Sequence, residues 1–133
     1  MTKKLGLLLS FLLRIGIATL AAQKATDSTV VDPDVHQVVL ENEHVRVLEG
    51  RAAPGWKSPM HTHPPLVLVS VGSARVKFTF PDGKTSILDL RPGQVLWVDG
   101  VEHSWELLAG DLHAVVVEVK SASVVQGSEG GAF

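Results

Sequence analysis

Cysteine is absent from all 133 residues. That excludes disulfides, thiolate metal sites and a cysteine nucleophile. Tyrosine is absent too, so no phenolic acid or base is available. There is no basic run: twelve Lys and Arg stand against fourteen Asp and Glu. Nucleic-acid binding needs a clustered basic face, and this chain has none. Ser58, Ser70 and Ser104 lack a triad-like setting. Any resident metal must therefore be held by nitrogen and oxygen ligands, which makes the six histidines the informative residues.

Residues 1–22 read as a signal peptide. Lys3 and Lys4 give a positive start, Leu5 to Leu13 an apolar run, and Ala21 or Ala22 a small residue for cleavage. Arg14 interrupts the apolar stretch. A membrane span needs about 20 uninterrupted apolar residues, so a cleaved leader is expected and no stable membrane insertion after processing. No cysteine follows the run, so a lipid anchor there is excluded. Export to a bacterial periplasm is the expected destination. Removing Lys3, Lys4 and Arg14 leaves nine cations against fourteen acids in the mature domain.

Residues 23–34 are polar, include Pro33 and read as a linker. From Val35 the hydrophobic pattern turns to period two, the signature of strands. Arg75 to Phe80 alternates, with Val76, Phe78 and Phe80 on one face. Leu66 to Val71, Val95 to Val98 and Ala114 to Val119 are nearly all apolar, as in strands buried on both sides. Pro54-Gly55, Gly72-Ser73, Asp82-Gly83, Pro92-Gly93, Asp99-Gly100 and Gly110-Asp111 mark bends between them. Asp82-Gly83 between two alternating runs predicts a hairpin. Eight or nine short strands with regular turns predict an all-β domain over residues 35–120, a single jelly-roll barrel. Residues 121–133 are small and polar and read as a flexible tail.

His61 and His63 are two apart, so on a strand they point to the same side. If that side faces the interior, both imidazoles reach one ion, and a third ligand must come from another strand. His103 qualifies: it opens a new strand after the turns at Pro92-Gly93 and Asp99-Gly100. Glu102 and Glu106 are nearby carboxylates, with Glu106 on the face opposite to His103, and His113 is a weaker candidate. His36 and His44 sit in polar surroundings and read as solvated. Trp56, Trp97 and Trp105 are candidates to line a ligand pocket. Trp105 leads them because it shares the side of His103.

Gly55, five residues, His61, one residue, His63 and then Gly72 resemble the first motif of the cupin superfamily. Pro92-Gly93 with His103 resembles the second, and a strand, a turn and a strand lie between, as in cupins. The resemblance covers roughly residues 35–120. It implies a double-stranded β-helix with a metal in its mouth, held by two His and a Glu from the first motif and a His from the second. His61, His63 and His103 match. The Glu does not: Pro64, Pro65, Leu66, Val67 and Leu68 stand where it belongs. The second motif also departs, at Val98 or Asp99 and at Leu107. The chain looks like the three-His variant of the fold, seen in some small oxygenases. Three neutral imidazoles leave a dication its full formal charge.

Two functions follow as expectations. One is a mononuclear metal-dependent enzyme of dioxygenase type (Fe, Mn, Ni, Cu or Zn), acting on a small organic acid or carbonyl compound. The other is a non-catalytic module that binds or senses a small ligand. A homodimer is expected in either case, because an open sheet edge favours pairing.

Overall fold

The computed structural model describes residues 25–121. The leader and almost all of the C-terminal tail lie outside the described residues. Among the described residues there are nine strands and one helical turn. The strands are β1 (His36–Glu41), β2 (Val45–Ala52), β3 (Lys57–His63), β4 (Leu66–Ser70), β5 (Ala74–Thr79), β6 (Thr85–Leu90), β7 (Val95–Val98), β8 (Val101–Gly110) and β9 (Leu112–Val119). They form two antiparallel sheets, one in the order β1-β2-β9-β4-β7 and the other β3-β8-β5-β6. This is the all-β jelly-roll barrel that the pattern predicts.

Local chemistry explains the turns. β5 and β6 are joined at Asp82-Gly83, where Gly83 has φ +82° and donates its N–H to the Phe80 carbonyl. Glycine takes that left-handed conformation without steric cost. Gly110, between β8 and β9, is more constrained. Its φ is +76°, and an added Cβ would lie 2.2 Å from the Ser73 carbonyl oxygen.

Inward residues make the core. Val35, Ala74, Val76, Leu90, Trp105 and Leu107 form one buried cluster, and Leu48, Leu66 and Val116 a second. β2 and β9 alternate strictly, with Arg46, Leu48 and Gly50 buried on one and Ala114, Val116 and Glu118 on the other. The continuous apolar runs therefore do not mean burial on both sides. Val67, Val115 and Val117 are half-buried on the outer face, and Val95 and Trp97 of the edge strand β7 are 61 % and 57 % exposed there.

The stretch read as a linker carries structure from residue 25. Asp27 caps a short helical turn, α1 (Ser28–Val31), accepting from the Thr29 N–H at 2.9 Å. Just before it, the Thr26 carbonyl accepts the Thr62 N–H at 2.7 Å, and Asp27 bridges Thr62 in parallel. Asp32 then accepts from the His36 N–H through its carbonyl and from the Trp56 indole through its carboxylate. This segment closes the seam where edge strand β1 of one sheet meets edge strand β3 of the other.

Candidate metal centre

At that seam four imidazoles gather inside the barrel. His61 and His63 lie on β3, and His103 is the cross-strand partner of His61 on β8. Their ring centroids lie 4.9 Å apart for both His61–His63 and His61–His103, and 5.6 Å for His63–His103. The period-two spacing does what the sequence implies: His61 is 0 % exposed and His63 8 %.

The fourth is His36, the first residue of β1. It is buried, not solvated as its polar neighbours suggest, with its ring 4.8 Å from that of His61 and 5.3 Å from that of His63. His36, His61 and His63 form the tight group, with one ligand atom from each lying within 4.8 Å of the other two. The reason is the turn at Asp32. Its carbonyl accepts from both the His36 N–H and the ring Nδ1, which swings the imidazole inward. His44 is exposed as expected.

The second nitrogen of each ring is where the chemistry lies. His61 Nδ1 is 2.7 Å from the Pro59 carbonyl, His36 Nδ1 is 3.2 Å from the Asp32 carbonyl, and His63 Nδ1 is 2.8 Å from Glu118 Oε1. A carbonyl or carboxylate oxygen can only accept, so each Nδ1 carries the hydrogen. Each Nε2 of a neutral ring is then left with a free lone pair. His61 Nε2 is buried with no hydrogen-bond partner. Such an orphan is costly in a protein interior, and a cation is what would satisfy it. The donor set thus fits a divalent metal: His36, His61 and His63 are tethered through Nδ1, which leaves each Nε2 for an ion.

The electrostatics agree. Burial first, then the neighbouring imidazoles, pushes His36 down to about 4 and His103 down to about 3. Burial also lowers His61. All three are therefore unprotonated near neutral pH, as metal ligation requires. His103 stacks on Phe78, with centroids 5.0 Å apart.

Glu118 is the second residue that sequence reasoning missed. Its side chain is 1 % exposed and lies between His63 and Arg46, whose Nε donates to Oε2. Arg46 continues the chain, with its other nitrogens on both carboxylate oxygens of Asp27. Burial alone would raise the Glu118 carboxyl, but the hydrogen bonds from His63 and Arg46 outweigh it and hold it below the usual range. Asp27 is likewise lowered, its burial outweighed by hydrogen bonds from Arg46 and Thr29. The carboxylate missing after the first-motif histidines thus stands one imidazole further out. The signal was present: Ala114, Val116 and Glu118 share a face in period two, and a lone acid on the buried face of an apolar strand needs a partner.

The other candidates fall elsewhere. Glu102 is exposed, Glu106 points away towards Lys57, and His113 Nε2 bonds Glu49 on the outer face. Of the tryptophans only Trp105 lines the interior cavity. Trp97 does not, because it occupies an outward position on β7 and donates to Asp99 instead. Trp56 packs at the edge of the core, held by Asp32. The cavity itself measures about 220 Å³ and has His36, His63 and His103 along one wall.

No family model and no curated protein matches the chain. Solved structures do. A cupin domain from Bordetella pertussis superposes with a TM-score of 0.59 at 26 % identity, over 65 % of this chain and 93 % of that one. An RmlC-like cupin with a double-stranded β-helix fold from Methanocaldococcus jannaschii gives 0.53 at 18 % identity, over 64 % and 78 %. A cupin superfamily protein from Desulfitobacterium hafniense gives 0.50 at 14 % identity, over 65 % and 77 %. The described residues thus form a double-stranded β-helix with a wall of buried histidines. The chain thus shares the fold of these cupins, and Pro64 to Leu68 stand where the first-motif glutamate would be expected.

Proposed function

We propose that the chain is a metal-binding cupin in which His61, His63 and His103, joined by His36, hold one divalent transition metal (Fe, Mn, Ni, Cu or Zn). It would act as a mononuclear dioxygenase-type oxidoreductase on a small organic acid or carbonyl compound. The observation that carries the metal reading is the orphaned His61 Nε2, set among rings whose Nδ1 atoms are tied back to Pro59, Asp32 and Glu118. When bound, the metal would polarise a substrate oxygen and hold two reactants together. The protein's own part is to tether His36, His61 and His63 through Nδ1, to keep His36, His61 and His103 neutral near pH 7 and to shield the site from bulk water.

The test is elemental analysis of the purified full chain beside His61→Ala, His103→Ala and His36→Ala. About one ion per chain, lost or sharply reduced in each variant, is the expected result. Equal and negligible content in all four would end the metal reading. Oxygen uptake by Fe(II)-loaded protein with carboxylate or carbonyl compounds tests the enzyme reading.

One observation favours the alternative, a non-catalytic binding or sensing module. Among the described residues lining the cavity, the imidazoles are the only side chains able to take up a proton. Binding of a small ligand without oxygen uptake would decide for it.

Two further expectations belong to the same reading. The chain is exported to the periplasm with its leader removed, which the mass of the protein recovered from that compartment would show. It pairs as a homodimer, a proposal supported by exposed Val38, Val39 and Leu40 on edge strand β1 and checked by light scattering.

A further inference from the structure

The interior cavity beyond the histidines has a chemistry of its own. Leu66, Leu68, Phe78, Phe80, Leu88 and Leu96 form much of its lining. No charged, hydroxyl or amide side chain is among the described residues that line it. The polar groups that face it are His36, His63 and His103 on one wall, and Trp105 nearby. Such a cavity can satisfy one polar end of a guest and no second one. A sugar, a polyol or a dicarboxylate would bury further polar groups without partners, at a cost equivalent to about ten- to hundredfold in affinity.

We infer that the ligand is amphiphilic: a single oxygen-donor head, carboxylate or carbonyl, at the histidine wall, and an apolar body filling the sac. Size follows from volume. A dry apolar cavity of about 150 Å³ holds a benzene ring, and this one is about 220 Å³. The body is therefore one aromatic ring or an aliphatic chain of about six to eight carbons. The placing of the head rests on the metal reading above. The apolar body does not, because the sac exists whatever the histidines hold.

Calorimetric titration of the full chain, metal-loaded and metal-free, tests both parts. The probes are acetate, butanoate, hexanoate and octanoate, with gluconate as the polar control and toluene as a probe without a head. In metal-loaded protein, affinity should rise about fourfold per added methylene until the sac is full. Gluconate should bind at least tenfold more weakly than hexanoate. Toluene should bind metal-free protein as well. Leu88→Trp, which fills the sac from a half-buried position on β6, should weaken hexanoate at least tenfold with metal content unchanged. A flat carboxylate series, or gluconate equal to hexanoate, overturns the proposal. So does hexanoate binding that ignores Leu88→Trp in a variant shown to be folded by circular dichroism. Toluene binding in a protein that takes up no metal would keep the apolar sac while ending the metal reading and with it the assigned head.

Discussion

The barrel interior has two halves, and they are built in opposite ways. The wall of His36, His61, His63 and His103 comes from the seam of β1, β3 and β8, closed over by α1. The sac comes from the inward faces of β4 to β7 and of β9. In the sac, residues need only be apolar and of the right volume. In the wall every polar atom needs a partner, and the partners are backbone carbonyls at Pro59 and Asp32 and a buried ion chain from Glu118 through Arg46 to Asp27. A polar lining inside a small barrel is thus held in place mostly by residues that never face the cavity. It tolerates substitution less well than the apolar half does.

The hardest blow to the polar half should come from Arg46→Met. It would leave the buried Glu118 and part-buried Asp27 carboxylates without their cation, at a cost of about 3–5 kcal/mol, readable as a lower midpoint in urea denaturation. A loss below about 1 kcal/mol would mean that the wall does not depend on its outer chain.

Acid should come next. In the unfolded chain imidazoles take up protons near pH 6.5, whereas His36 stays neutral down to about 4 and His103 down to about 3. The unfolded chain therefore binds more protons across that window, so metal-free protein should lose stability as pH falls from 6.5 towards 4. Glu118 and Asp27 add to the loss below about pH 4.5, since their folded values are depressed. Thermal melts of metal-free protein at stepped pH check this. A midpoint that stays level from pH 7 to 5 would contradict it.

A finer probe is Glu118→Gln, which keeps the shape but weakens the acceptor at His63 Nδ1. Metal affinity should fall about 10- to 100-fold, measured by competition with a chelator. At the small end, Trp97→Ser on the outer face should change stability by no more than about 0.5 kcal/mol.

Much of the fold was legible because period two survives wherever polar residues stand on the outer face. β5, β6 and the turn at Gly83 read directly, and so did the shared side of His61 and His63. β4, β7 and β9 read less well. Their outer faces carry valines and Trp97, which hide the alternation and suggest two-sided burial. The same masking hid Glu118, since Val115 and Val117 make its strand look uniformly apolar. His36 was hidden for a different reason. Its inward turn depends on the Asp32 carbonyl four residues earlier and on α1 packing near β3, and the second of these joins residues far apart in the chain that no local pattern encodes. The inward position of Arg46 was hidden likewise, because its partners come from residues 27 and 118.

His36 belongs to one sheet and His61 and His63 to the other. An ion shared among them would rivet the two layers of the sandwich together across a loop that opens at residue 36 and closes at 61. In a chain without a single thiol, coordination would then supply the cross-link that a disulfide gives other small domains. Stripping the ion would loosen the barrel along its seam first, before the sac on the far side gave way.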